Sequence, residues 1–340
     1  MSGITGTGTT YNLPNYVGEL FAASPEDTPL LSAIGGLTGG ESVGATLFEW
    51  QGYELRDAAD NRQRTEGADI TEFSERSRFK ASNVVEIHQE AVSVSYSKQG
   101  TTRMHGVSGE NAVQIGSTLI PADELAWQLE QQFKQIARDV EKTFFTGTFA
   151  NPADNTSPRK TRGLIQAITT NVATTSHTAA NLTADDVLDL MEKVWAAGGI
   201  QEGETRTLIV NSTLKRALTR VFIKDAKYEE ASRNVGGVNL KTIETDFGTC
   251  NIMLNRFAPA DKLIVASLEQ LKPAFLEIPG KGHFFAEPLA KTGASDKVQV
   301  YGEIGLNYGN ERAHGVLTVT RATDALVDRT LVEDSDETEE

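Results

Sequence analysis

The sequence predicts an α+β fold: strands first, then one long helix, a mixed α/β stretch, and strands again at the end. Three observations predict it. The segments "GATLFEWQGYEL" and "RFKASNVVEIHQEAVSVSYS" read as strands, the second alternating in part through Val85, Ile87, Val92 and Val94. Leu125, Leu129, Phe133, Ile136, Val140 and Phe144 recur every three or four residues and lay a single apolar stripe along a helix. After Gly282 the runs "HFFAEPLA", "KVQVYGEIGLNYGNE" and "HGVLTVTRA" again read as strands.

Residues 1–44 are rich in Gly, Thr and Pro, with one short amphipathic piece around 16–23, and read as an arm rather than a core element. Residues 45–97 read as a long antiparallel hairpin. Limbs of about 14 residues, at about 3.3 Å each, would extend roughly 45 Å. Its tip, "GYELRDAADNRQRTEGADITEFSERSRFK" (52–80), carries dense charge of mixed sign from Glu54 to Lys80. Such a stretch cannot bury enough apolar surface to offset its ordering entropy. An isolated two-stranded ribbon is marginal in water, so this one needs a surface to lie on.

The long helix is expected over 121–146. Pro121 suits the first turn, Asp123 and Glu124 favour the positive end of the helix dipole, and Gly147 is placed to end it at C′. Twenty-five or so residues at about 1.5 Å each make a rod of about 38 Å. From 163 to 276 the pattern mixes helix and strand. "LTADDVLDLMEKVWAAGG" is a helix with Thr183 as N-cap and Gly198 or Gly199 at its end; "TRTLIVN" is a buried strand; "STLKRALTRVF" is a helix capped by Ser212. Gly236 and Gly237 mark a turn before the strand-rich "GVNLKTIETDFGTCNIMLN" and "DKLIVASLEQLKPAFL". Glu333, Asp334, Asp336, Glu337, Glu339 and Glu340 crowd the last segment, 326–340, which is expected to be a solvated, disordered tail.

A chain of 340 residues holds one large domain or two modest ones. The net charge of −15 opposes a sequence-independent DNA-binding surface, which needs clustered Lys and Arg. No run approaches the roughly 18 apolar residues of a membrane span, and the N-terminus lacks the basic and apolar regions of a signal peptide. The single cysteine, Cys250, excludes an intrachain disulfide framework and reads as a small buried strand residue rather than a nucleophile.

Motifs for chemistry are missing. His88, His105, His177, His283 and His314 are scattered without metal-site spacing, and each reads as surface or satisfied structure. "GLTGGESVG" and "IPGKGHFF" lack the spacing of a phosphate loop, and G-x-S-x-G is absent. The carboxylates of "DELAWQLEQQ" and "ADDVLDLMEK" sit at helix starts or off the apolar stripe, on solvated faces. Trp127 and Trp195 read as core or interface anchors. No catalytic, cofactor-binding or metal residue is assigned, and no cofactor.

The ordered set "TPLLSAIGG", "FSERSRFKASNVVEIHQEAVSVS", "DELAWQLEQQFKQIARDVEKTFFTG", "RGLIQAI", the turn "NRFAPAD" and "AKTGASDK" leading to "NERAHG" resembles one family, the tailed-phage major capsid proteins. The resemblance runs from about 15 to 320. It implies the Hong Kong 97-type capsid fold: an N-terminal arm (1–44), an extended loop (45–97), a peripheral domain (98–162) with its spine helix at about 121–146, and an axial domain (163–276). Returning strands of the peripheral domain (277–325) and the acidic tail (326–340) complete it.

The same resemblance implies self-assembly into hexamers and pentamers of an icosahedral head shell around double-stranded DNA, without sequence-specific DNA binding. It also implies a portal and scaffolding or decoration proteins as partners, no membrane, synthesis in a bacterial cytoplasm and residence in the virion. The charged loop tip would lie over a neighbouring subunit and pair with it, and the acidity would keep DNA from sticking to the inner wall. A scaffold would be a separate protein, and no Lys and Asn are assigned to a covalent cross-link. The alternatives are an encapsulin-like nanocompartment shell, an α/β enzyme with the hairpin as lid, and an adhesin or tail-tip binding protein.

Overall fold

The computed structural model describes residues 26–53, 55, 58, 60, 62–69, 75, 76, 78–101, 113–115, 118–120, 124–154, 156–200, 206–224 and 241–320. Residues 1–25, His105, Pro121, Asp123, the turn at Gly236 and the tail 326–340 lie outside these.

In chain order the first half contains α1 (Pro29–Ile34), β1 (Glu41–Val43), β2 (Leu47–Tyr53), β3 (Arg78–Val84), β4 (Glu86–Ser95), α2 (Tyr96–Thr101), β5 (Val113–Ile115), β6 (Thr118–Ile120) and α3 (Glu124–Thr146). Then come α4 (Leu164–Ala167), β7 (Val172–Thr178), α5 (Ala184–Ala196), β8 (Arg206–Val210) and α6 (Ser212–Lys224). The last third holds β9 (Thr242–Thr245), β10 (Gly248–Leu254), β11 (Lys262–Ser267), β12 (Lys272–Leu276), β13 (Phe284–Pro288), β14 (Ser295–Asn307) and β15 (Gly315–Thr320).

Two large sheets organise these elements. In the six-stranded sheet the order is β7-β15-β11-β8-β10-β9. Its central strands read as unbroken apolar runs because both faces are covered, and the period of two sorts their side chains between two cores. Leu208, Val210, Leu263, Val265, Leu317 and Val319 face Val187, Leu190, Met191 and Val194 of α5 and Leu214 and Leu218 of α6. Ile209, Ile264, Ala266 and Val316 point the other way, into a core shared with α1, α3 and α4.

The five-stranded sheet is built around β14. β12 and β13 pair with successive parts of one edge of β14, β4 runs antiparallel along the other, and β1 extends the sheet beyond β12. α3 packs across this sheet as the stripe predicts: Ile136, Val140 and Phe144 are buried with Phe275, Val300, Ile304 and Leu306, while Leu129 and Phe133 flank them. Its 23 described helical residues span about 34 Å.

Several expectations are corrected by this topology. Among the described residues the hairpin limbs are seven residues long rather than about 14, with β2 and β3 pairing from Leu47 and Val84 to Tyr53 and Arg78. At Val85 the strand leaves the ribbon and β4 joins β14 instead. Of the strands within 277–325, read as returning to the peripheral domain, β13 and β14 lie in the five-stranded sheet and β15 lies between β7 and β11 in the other. β12, placed with the α/β stretch by its sequence position, pairs with β14.

Ser212 does not cap α6. It is the first helical residue, and its hydroxyl donates to Asn211 Oδ1 at 3.0 Å, while the Asn211 carbonyl accepts the Lys215 amide at 2.8 Å. Thr183 does cap α5, accepting from the Asp186 amide while the Asp186 carboxylate accepts from the Thr183 amide. Gly147 follows α3 for a different reason from the left-handed turn expected. A Cβ there would lie 2.6 Å from the carbonyl oxygens of both Thr143 and Thr161, so only glycine lets the returning chain cross the helix end.

Candidate assembly surface

The ribbon of β2 and β3 has two unlike faces. Register puts Phe48, Trp50 and Gly52 on one face with Asn83, Ala81 and Phe79 opposite them. Leu47, Glu49, Gln51 and Tyr53 share the other face with Val84, Ser82, Lys80 and Arg78. On this second face charge is paired within the ribbon itself: Lys80 Nζ reaches Glu49 Oε2 at 3.1 Å, with both side chains largely exposed. Exposed pairs of this kind contribute about 0–1 kcal/mol.

The first face seats the ribbon on the body. Phe48 is buried with Val85 and Ala274. The Trp50 ring meets Tyr308 edge-on at 4.7 Å between centroids, and its Nε1 donates to the Gly309 carbonyl at 2.7 Å. Next to these, Asn83 is fully buried with every side-chain valence used. Its Nδ2 donates to Leu306 O at 2.7 Å and Arg162 O at 3.1 Å, and its Oδ1 accepts from the amides of Val84 at 2.9 Å and Arg162 at 2.8 Å.

The segment 159–162 closes this switch point. Thr161 N donates to Glu86 Oε2 at 3.0 Å, the Thr161 hydroxyl accepts from Leu306 N at 3.2 Å, and Arg159 reaches Glu303 Oε2 at 2.8 Å. Tyr301 donates to the same carboxylate; burial first, and then that bond, push its phenol up to about 12.

A second joint ties α3 to both halves of the molecule. Glu141, fully buried, accepts from the amides of Leu30 at 2.8 Å and Leu31 at 2.6 Å, and from Asn255 Nδ2 at 2.5 Å. It thus serves the start of α1, where Thr28 makes no side-chain cap. Asn255 heads the "NRFAPAD" turn, donates its own amide to Val210 O at 2.9 Å and accepts from Phe257 N at 2.8 Å. Sequence reasoning grouped Glu141 with no site; its position beside Val140 and four residues before buried Phe145 is the signal that it faces inward.

Residues of chemical interest are dispersed. His88 bonds Glu86 at 2.8 Å; His283 stacks on Phe275 at 4.6 Å and meets Ser42 Oγ at 2.8 Å; buried His314 contacts Tyr308 O at 3.0 Å. His177 Nδ1 lies 2.8 Å from Asp186 Oδ2 beside a shallow polar cleft between β7 and α5. Burial pushes the Asp186 carboxyl up, but hydrogen bonds from Thr183, Thr175 and His177 outweigh it and hold the group at about 2. Cys250 is buried on β10, and burial raises its thiol while nearby Arg206 pulls it down in part. Among the described residues no three His, Cys, Asp or Glu side chains gather to hold a metal ion, and no helix is long and apolar enough to cross a membrane.

The arrangement is one of buried joints and a ribbon footed on the body, and the fold as a whole resembles those of solved shells. The cyanophage A-1(L) capsid subunit superposes with a TM-score of 0.64 at 13% identity, over 94% of this chain and 100% of that one. The holo-SrpI encapsulin complex of Synechococcus elongatus PCC 7942 gives 0.51 at 12% identity, over 90% and 91%. The fold is therefore of the Hong Kong 97 capsid type.

Within that class, the chain belongs to the SU10 major capsid protein family, whose model matches residues 3–321. It is also 25% identical, over 349 positions covering 86% of this chain and 90% of the other, to the major capsid protein of Escherichia phage Phieco32. Its function is that of a major capsid protein of a tailed phage, and its place is the virion capsid.

Proposed function

We propose that copies of this chain close into the hexamers and pentamers of an icosahedral head shell that encloses double-stranded DNA, and that the chain performs this role without a catalytic step. The five-stranded sheet with α3 acts as the peripheral domain and the six-stranded sheet with α5 and α6 as the axial domain, each extended by the strand exchanges described above. Within 1–44, expected to be an arm and no core element, α1 and β1 instead pack into the chain's own body, so it is the loop tip that reaches to neighbouring copies, and a portal with separate scaffolding or decoration proteins completes the particle. The net charge of −15 supports enclosure without adhesion, because a carboxylate-rich wall offers no counterion release to DNA.

One observation carries the reading: a seven-pair ribbon stands on the body by its Phe48 and Trp50 end, while Tyr53 and Leu55 beyond that footing are 72% and 68% exposed. A projection of that kind is marginal alone and gains fixed shape by docking. The likeness to an encapsulin supports the second reading, a nanocompartment shell, through the fold alone. Expression of the full chain, followed by light scattering and negative-stain microscopy, tests the first reading. Closed shells or capsomer rings support it, and a purely monomeric chain at micromolar concentration overturns it. Particles recovered from infected cells carry double-stranded DNA on the first reading and protein cargo on the second.

A further inference from the structure

We propose that the acidic C-terminal segment of this chain, 333–340, lies along its own basic helix α6 and masks that helix from other polyanions. The inference goes beyond the shell reading and does not rest on it.

Charge is the first support. In a chain of net charge −15, α6 carries Lys215, Arg216, Arg220 and Lys224 and no acid. Arg216 and Arg220, four residues apart, share an exposed face of the helix. Among the described residues no carboxylate forms an ion pair with Lys215, Arg216 or Arg220. The Lys215 ammonium is buried without a hydrogen-bond partner, and burial pushes its pKa down with no carboxylate to offset it. Cations early in a helix also meet the positive end of its dipole, and the first turn of α6 holds no acid to compensate. The helix lacks counter-charge.

The point where β15 ends is the second. α6 packs with α5 against one face of the six-stranded sheet. Arg220 reaches from it to the loop after β7, where its Nη2 donates to the Ala179 carbonyl at 2.7 Å. Ala179 follows Thr178, and Thr178 is the register partner of Thr320, the last residue of β15. The backbone thus leaves the sheet close to Arg220.

Reach is the third. Glu333 stands 13 positions beyond Thr320. At about 3.3 Å per residue that link spans up to about 43 Å, whereas the 13 residues of α6 span only about 20 Å. Glu333, Asp334, Asp336, Glu337, Glu339 and Glu340 therefore have the whole helix within range. Exposed ion pairs are individually weak. A tether, however, holds its charges at an effective concentration on the order of millimolar, which favours them over a polyanion arriving from solution. Duplex DNA is the rival occupant, since its phosphates suit the same cations. The short tether and the adjacent exit favour the chain's own carboxylates.

Hydrogen exchange read by mass spectrometry on the isolated chain at low ionic strength tests this. The full chain is compared with a chain ending at Val332, with the double variant Arg216→Gln, Arg220→Gln, and with the shortened double variant. Shortening should speed exchange in α6 by about three- to tenfold while β8 and β11 keep their rates. Raising salt to about 1 M should do the same to the full chain. In the double variant, shortening should change α6 by less than about twofold, because the partners are already gone. A short DNA duplex should slow α6 in the shortened chain alone. Equal α6 exchange in the full and shortened chains overturns the proposal. So does a shortening effect that persists undiminished in the double variant, or a duplex that protects α6 equally in the full chain. All of this is read on the isolated chain, so failure of shell assembly bears on the shell reading alone.

Discussion

Glu141 on α3 and Asn255 in the turn after β10 share a buried hydrogen bond of 2.5 Å, although 114 positions separate them. That bond, with the Leu30 and Leu31 amides on the same carboxylate, joins the helix, the start of α1 and the six-stranded sheet at one point. Glu141→Ala leaves three buried donors without an acceptor and should destabilise the chain by about 3 kcal/mol or more. Urea unfolding followed by circular dichroism measures it, and a loss below about 1 kcal/mol would show that water replaces the carboxylate freely.

The same group sets a pH slope. Burial raises the Glu141 carboxyl above its ordinary range, and the amides and Asn255 only partly offset this. Between the unfolded and the folded value the folded chain keeps a proton that the unfolded chain has released. Its contribution to stability therefore falls as pH climbs through that interval. Glu141→Gln carries no such proton, so the difference between its unfolding midpoint and the parent's should narrow as pH rises.

Asp186 acts in the opposite sense. With its carboxyl lowered to about 2, its contribution is complete above the ordinary aspartate range and disappears as pH falls toward about 2. Asp186→Asn should melt earlier than the parent at neutral pH, by an amount worth about 1–2 kcal/mol, and the gap should close in acid. Melting curves of both chains across the acid range read this directly.

Trp50→Phe keeps the ring contact with Tyr308 and removes the Nε1 bond to Gly309, a loss of about 1 kcal/mol. Hydrogen exchange should then quicken in β2 and β3 while β8 and β11, central in the other sheet, keep their protection.

Gly163→Ala places a Cβ 2.6 Å from Gly147 N and 2.7 Å from Thr143 O, all backbone, and should cost about 1–3 kcal/mol. Gly280→Ala meets nothing within 4 Å and carries only the conformational penalty of its φ of +80°, about 1 kcal/mol. Comparison of the two denaturation midpoints tests whether close approach, rather than dihedral freedom, makes Gly163 the more sensitive position.

Much of the architecture is legible in residue order because each long element repeats its own period. The stripe from Leu125 to Phe144 specifies α3, and the runs "TLIV" and "LIVA" specify strands buried on both faces. The ribbon's length was not legible, since alternation continues across Val85 without a turn residue. The only trace of the change of sheet is the pair Val84 and Val85, adjacent apolar residues that are both buried. Nor could spacing reveal that β15 joins β7 and β11, because strand pairing over 140 residues is decided by tertiary packing rather than by local pattern. Charge is what stands out in the sequence between residues 52 and 80, while the apolar row Phe48, Trp50 and Phe79 is divided between two strands and becomes one surface only in register.

The exchange of strands between the two sheets has a mechanical consequence. β12 leaves the α/β stretch for the five-stranded sheet, and β15 returns from that sheet to the six-stranded one. Pulling the two lobes apart therefore loads several ladders in parallel, together with the Glu141 joint, instead of peeling a single connection. A subunit stitched through twice in this way is held together as one plate, and neither half can be excised as a folding unit of its own.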